Sequence, residues 1–448
     1  MMMRYIILLC CLLMVGLLQA QSPATVECRI GEGIGEKLHL FKVVNGTKVA
    51  IADAVYNKNG YYGFKFVPEY EGFYVVGDDR NYQYPVYLKG GETVSLYMDK
   101  DTVYLEGKKN TKENRVLFDW IALSKNIEAK AVHFRRVRST YKDFFPEFET
   151  FLPRADRFRD GIKTSNPRFN ELMKRSIDFE KDLYALTFLY TPRTEHPKKE
   201  QRIAYYSTIV SPDKFCDDVV LDMPYGIELV NRYILYITLE KGPAGKEMDK
   251  ISLIPDNRVK GELVVGQAAG MKSYFELKKY LAENEKYLNA AQKERVEAIA
   301  SKMYEARKGQ LSADFTYPDA SGKQVSLSDF RGKVVLVDVW ATWCGPCRGE
   351  LPHLKKLEEE MKGKEVVFIG VSVDEEKNYD KWKKFITDEQ LPGIQLFANG
   401  WSKITKDYKI TGIPRFMVFD REGKVVESVA PRPSNPDLKA LLEEELRK

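Results

Sequence analysis

Val334-Val-Leu-Val-Asp-Val-Trp340 is an apolar run of seven residues, broken only by Asp338, that reaches a Cys-Gly-Pro-Cys turn four residues later. A run of β-branched residues with no polar face has to be covered on both sides, which predicts a buried parallel strand. Cys344 and Cys347 bracket Gly345 and Pro346. That spacing places two thiols at the first turn of a helix, close enough to close a small disulfide ring. Pro346 suits the first turn, where its missing N–H is no loss. Unpaired N–H groups at a helix start carry roughly half a positive charge, which stabilises a Cys344 thiolate and draws its pKa from about 8.5 towards about 7. The thiolate is the species that attacks a disulfide.

At 448 residues the chain is too long for one core and predicts about three domains. A net charge of +5 with no dominant basic block gives no indication of nucleic-acid binding. Arg4, an apolar run from Tyr5 to Leu18 and then Gln19-Ala20 form the pattern of a secretory leader cut after Ala20. This predicts an exported and most simply periplasmic protein. The apolar core is short for a membrane span, and an uncleaved anchor is the alternative. Cys10 and Cys11 follow Leu9, whereas a lipidation signal needs a small residue there.

With those two in the leader, four of the six cysteines remain: Cys28, Cys216, Cys344 and Cys347. So few in an exported chain do not staple a scaffold, so the lone Cys-x-x-Cys reads as catalytic. Zinc would need two more ligands, and the four histidines lack partner spacing, so no metal is expected. Cys28 and Cys216 read as two unpaired buried thiols.

After the leader, residues 21–110 read as a small all-β sandwich or barrel with antiparallel strands. Runs such as Lys37–Val43 and Thr93–Met98 alternate, and Asn45-Gly46, Asn59-Gly60 and Gly90-Gly91 mark turns. Its tyrosines, among them Tyr70, Tyr74 and Tyr87, read as packing residues. Residues 111–308 read as mainly helical, from the three- and four-residue steps of Val116, Trp120, Leu123, Ile127 and Ala131 and from similar patterns in 169–189, 227–239, 271–281 and 290–306. Charge clusters such as Arg135-Arg136 read as solvated faces. From 309 to 448, strands alternate with helices, implying a central sheet covered on both faces.

Those last residues resemble the thioredoxin superfamily, and within it the exported TlpA/ResA-like thiol-disulfide oxidoreductases. Trp343-Cys-Gly-Pro-Cys347 matches the active-site sequence, Pro352 falls where that family kinks its helix, and Thr411-Gly-Ile-Pro414 matches the cis-proline loop facing the cysteines. The long stretch Glu365–Gly400 is similar to the insertion of the exported branch. The resemblance implies a redox-active Cys344–Cys347 disulfide with no other cofactor. It makes Cys344 the nucleophile, Cys347 the resolving thiol, and Trp343, Gly345, Pro346, Ile413 and a cis Pro414 the client-binding surface.

Asp338 lies on the strand below the cysteines. Burial would raise its pKa and suit it as a base for Cys347; a carboxylate neutralised by lysine is the alternative. Glu350 matches a family carboxylate and is either catalytic or a charge favouring the helix start. The expected function is reduction or isomerisation of client-protein disulfides, with a membrane thiol reductase supplying electrons. A peroxiredoxin-like peroxide reductase is a second reading, although Asp338 stands where that family places a proline. A third is a surface-binding protein whose upstream region does the work.

Overall fold

The computed structural model describes residues 22–448 apart from 36, 57–60, 80–81, 134–136, 212, 243–247 and 308–312. The leader Met1–Ala20, the Asn59-Gly60 turn and Arg135-Arg136 therefore lie outside the described residues. The chain divides into two compact units, Met1–Glu262 and Leu263–Lys448. That division falls inside the stretch 111–308 that reads as helical.

The first unit opens with strands β1 (Ala24–Ile30), β2 (His39–Val44), β3 (Thr47–Asp53), β4 (Val55–Tyr56), β5 (Tyr62–Phe66), β6 (Gly72–Gly77), β7 (Gln83–Leu88), β8 (Thr93–Met98) and β9 (Val103–Leu105). They form two sheets, ordered β4-β5-β1-β8-β9 and β3-β2-β6-β7. Val26 and Cys28 of β1 and Val94, Leu96 and Met98 of β8 are buried at every second position, as alternation predicts. The antiparallel expectation is corrected at one pair, because β1 and β8 run parallel. Side-chain alternation selects the buried face of a strand and carries no information on the direction of its neighbour.

Asn45 and Gly46 both take positive φ, 50° and 77°, in the tight turn joining β2 to β3. Gly46 is required a second time, since a Cβ there would sit 2.9 Å from the Ile227 nitrogen. Tyr70 and Tyr74 stack at 4.7 Å, and each hydroxyl donates to a backbone carbonyl, that of Phe73 and that of Tyr70 respectively.

Helices α1 (Lys112–Ala131), α2 (Tyr141–Asp160), α3 (Pro167–Tyr190), α4 (Tyr205–Ile209) and α5 (Gly226–Glu240) follow, and α6 (Asn257–Gly270) spans the division between units. Sequence periodicity alone does not reveal α2, because Pro146 and Pro153 sit inside it. Its packing outweighs the lost N–H donors. Phe144, Phe148, Phe151 and Ala155 form one buried stripe, and Phe144 stacks on Phe188 of α3 at 3.9 Å. Buried Asn114 ties α1 to the edge of β7: its Oδ1 accepts from the Tyr87 N–H at 2.9 Å and its Nδ2 donates to the Tyr87 carbonyl at 2.7 Å.

In the second unit come α7 (Tyr274–Asn284), α8 (Ala290–Arg307), β10 (Thr316–Pro318), β11 (Gln324–Ser326), β12 (Val334–Trp340), α9 (Gly345–Glu360), β13 (Val366–Ser372), α10 (Tyr379–Asp388), β14 (Ile394–Phe397), α11 (Lys403–Asp407), β15 (Arg415–Phe419), β16 (Val425–Ala430) and α12 (Pro436–Leu446). The main sheet is ordered β14-β13-β12-β15-β16, with β12 in the centre. Strands β12, β13 and β14 are parallel, and β15 and β16 antiparallel to their neighbours.

Every residue of β12 is buried, as its sequence demands. Val335, Val337 and Val339 pack with Ile369, Val371, Trp382 and Phe397. On the opposite face Val334 and Leu336 pack with Leu354 and Leu357 of α9 and Leu438 and Leu441 of α12. At roughly 1.5–3 kcal/mol per buried aliphatic side chain, burial of this strand contributes substantially to the sheet's stability. Helix α7 is fixed to β16 by buried Glu427, which accepts from the Ser273 hydroxyl at 3.1 Å and the Phe275 N–H at 3.4 Å.

Candidate active site

Strand β12 delivers the chain to a turn, Ala341–Trp343, and Cys344 then becomes the N-cap of α9 with extended backbone, φ −81° and ψ 100°. Its Sγ accepts from the Cys347 N–H at 3.2 Å, taking the place usually filled by a serine or aspartate oxygen. Cys344 and Cys347 are joined as a disulfide. Gly345 and Pro346 fill the first two helical positions and are exposed, as is Trp343. Cys344 is 4% and Cys347 2% exposed, so the disulfide is largely covered.

The second wall comes from the loop before β15. Arg415 pairs opposite Val339, which sets Ile413 and Pro414 beside the end of β12, and Ile413 packs against the cluster containing both cysteines. The Ile413–Pro414 bond is cis.

Asp338 lies on the β12 face of Val334 and Leu336, towards α9. It is 5% exposed, and its Oδ1 has no hydrogen-bond partner among the described residues. Burial, reinforced by the charge of Glu350, pushes its carboxyl up to about 8. No lysine pairs with it among the described residues. Glu350 sits in the second turn of α9, past the helix start, and its buried carboxylate accepts from the Ser434 N–H at 2.9 Å and the Ser434 hydroxyl at 3.0 Å. It thus ties α9 to the segment leading into α12 while its charge acts on Asp338.

Sequence reasoning missed Asp374. This wholly buried carboxylate lies two residues past β13 and accepts from both the N–H and the hydroxyl of Thr342, at 2.8 and 2.7 Å. The available signal was positional: in a parallel sheet the loops leaving the C-terminal strand ends build the site.

Cys28 and Cys216 are both unpaired. Cys28 is buried and its thiol is pushed up by burial, but Cys216 is exposed, which corrects the reading of two buried thiols. Cys216 follows Phe215, whose buried ring takes the inward position and whose φ is positive at 58°. Among the described residues no group of three His, Cys, Asp or Glu could hold a metal, and no helix is long and apolar enough to cross a membrane.

The Redoxin family matches residues 307–442. The chain is similar to the thiol-disulfide oxidoreductase ResA of Bacillus thuringiensis, 31% identical over 140 residues that cover 31% of this chain and 77% of that one. It is also similar to the thioredoxin-like protein YneN of Bacillus subtilis, 33% identical over 120 residues covering 27% and 69%. A proposed thiol-disulfide oxidoreductase of Bacteroides vulgatus, solved in solution, is 48% identical over 32% of this chain and 92% of that one, with a TM-score of 0.29.

Proposed function

Because the chain belongs, through its C-terminal unit, to the TlpA/ResA-like thiol-disulfide oxidoreductases of the thioredoxin superfamily, we propose that it reduces or isomerises disulfides of client proteins outside the cytoplasm, with Cys344 and Cys347 as its redox group. The observation that carries this reading is the Cys344 sulfur at the α9 N-cap, receiving the Cys347 N–H at 3.2 Å. A donor aimed at that sulfur favours its ionised form, which is the attacking one.

In the reduced enzyme, the Cys344 thiolate attacks one sulfur of a client disulfide. A Cys344–client disulfide forms and the other client sulfur leaves as a thiolate. Cys347 then gives its proton to Asp338, directly or through water, and attacks the Cys344 sulfur. The mixed disulfide breaks, the Cys344–Cys347 disulfide closes, and the second client thiolate departs. Two electrons have passed to the client. An Asp338 carboxyl near 8 suits this transfer, because a base acts best with a pKa close to the working pH. No dissociable cofactor takes part.

Trp343, Gly345, Pro346, Ile413 and Pro414 form the surface on which a client segment lies. The same surface receives a membrane thiol reductase that returns the electrons. Export rests on the leader pattern Met1–Ala20.

The test is trapping. Cys347→Ser stops the reaction after the first exchange, so clients accumulate as adducts that dithiothreitol releases and that Cys344→Ser/Cys347→Ser lacks. Adducts of equal yield in the double variant would overturn the reading.

A further inference from the structure

Asp374 is 0% exposed, and no cation pairs with it among the described residues. Its carboxyl group is held by hydrogen bonds. Oδ2 accepts from the Thr342 N–H at 2.8 Å and the Ser372 hydroxyl at 2.7 Å, and Oδ1 accepts from the Thr342 hydroxyl at 2.7 Å. Its own N–H donates to the Ser372 oxygen at 3.1 Å, and its carbonyl accepts from the Gly400 N–H at 2.8 Å. A buried carboxylate without a counter-ion is costly, and for packing alone a neutral side chain would serve better.

Both bonds that reach out of its own segment through the carboxylate end on Thr342, two residues before Cys344. The turn is closed from the other side by the Cys344 N–H donating to the Ala341 carbonyl at 3.1 Å. Between the two fixed points stands Trp343, 54% exposed and unable to anchor anything from inside. The position of the Cys344 sulfur over the Cys347 N–H is therefore set by the Thr342 anchor and the helix start together.

We propose that Asp374 is a positioning residue that fixes the 341–344 turn and so holds the Cys344 sulfur where the start of α9 can stabilise its thiolate. This rests on Cys344 being the attacking thiol. Position and charge act in opposite directions. Loss of the anchor weakens the contact with the helix start and raises the Cys344 pKa, whereas loss of a nearby negative charge lowers it. Asparagine separates the two, since its oxygen accepts from the Thr342 N–H and its amide donates to the Thr342 hydroxyl, without charge.

The experiment measures iodoacetamide alkylation of Cys344 against pH in the reduced full-length protein carrying Cys216→Ser, reading the Cys344 peptide by mass. Asp338 on β12, Arg348 and Glu350 on the first two turns of α9, and Arg415 on β15 are the same in every variant. Asp374→Ala should raise the Cys344 pKa and slow alkylation at pH 7 by about three- to tenfold, in proportion to the lost thiolate. Asp374→Asn should stay within about twofold of the parent. Thr342→Val, which keeps the backbone bond and folds more safely, should fall between, with Thr342→Ser restoring the parent rate.

Equal shifts in Asp374→Ala and Asp374→Asn would make the effect one of charge and overturn the proposal. So would a lower melting temperature with no change in Cys344 pKa in Asp374→Ala and Thr342→Val. If instead Cys347 alkylates before Cys344 in the parent, the assignment of the nucleophile fails, and that result is read independently.

Discussion

Glu350 on α9 and Asp338 on β12 are two carboxyl groups in one packed layer, and the negative charge of the first raises the proton affinity of the second. Burial is the larger cause; together they bring Asp338 to about 8, against about 3.9 in an unfolded chain. Between those values the folded protein holds a proton that the unfolded chain has released. Stability from that proton is complete below about pH 4 and is lost as pH rises through 8, with a limiting slope of about 1.4 kcal/mol per pH unit. Asp338→Asn removes this component. Denaturant unfolding at several pH values between 5 and 8 should show the variant gaining on the parent as pH rises; a constant difference would mean that Asp338 is ionised throughout.

On the proposed mechanism, the same pair should set the rate of the second exchange. Resolution of the Cys344 mixed disulfide should accelerate as pH rises through about 8, where Asp338 ionises. Asp338→Asn should slow it by about 10², the usual loss for a missing general base, with folding intact. Glu350→Gln removes the neighbouring charge and lowers the Asp338 pKa, so the rise should begin at lower pH. Stopped-flow release of a client thiol measures both, and unchanged turnover in Asp338→Asn at neutral pH would leave that residue a structural role only.

Asn114 ties α1 to the β7 backbone at Tyr87, and both of its bonds are buried. Asn114→Leu leaves the Tyr87 N–H and carbonyl unpaired, at about 1–3 kcal/mol each. Urea unfolding of the first unit should show a loss of about 2–6 kcal/mol. A loss below about 1 kcal/mol would mean that water replaces both bonds.

Much of the second unit was legible because each element obeys its own local rule. The apolar run of β12, the Gly-Pro helix start and the turn before Pro414 each leave one local solution. The first unit shows where local rules stop. Alternation identified β8 but not its parallel pairing with β1, and the prolines of α2 conceal a helix held by stacked phenylalanines. The change of period near residue 110 marks where strands end and helices begin, since β9 ends at Leu105 and α1 starts at Lys112, and not where the first compact unit ends. Asp374 was illegible for the same reason. It is an ordinary loop aspartate in sequence, and only the adjacency of β12 and β13 brings Thr342 to it.

The leader pattern predicts a mature chain that begins at Gln21. N-terminal sequencing of protein recovered from the exporting host should return Gln-Ser-Pro-Ala, and a retained Met1 would count against cleavage.

The direction of exchange follows from what surrounds the Cys344 sulfur. Strong oxidants hold their reduced form by stabilising the thiolate, and a charged residue between the cysteines helps them do so. Gly345 and Pro346 bring no charge, and the Arg348 guanidinium lies over the Phe385 ring, 5.6 Å from its centre. Stabilisation is then left to the start of α9, which by itself draws a thiol to about 7 and not to the 3.5 of the strongest oxidant. Asp338 adds little at neutral pH, where it is mostly protonated and only a minority of molecules carry the ionised base, and above about 8 its negative charge disfavours the thiolate further. The midpoint potential should therefore lie nearer about −270 mV than −120 mV, making the protein a reductant or isomerase. In an oxidising compartment such a dithiol stays reduced only while a donor resupplies it, which is why a membrane thiol reductase belongs to the proposal. Redox titration against glutathione decides the matter: a midpoint above about −180 mV would reverse the direction and make client oxidation the function.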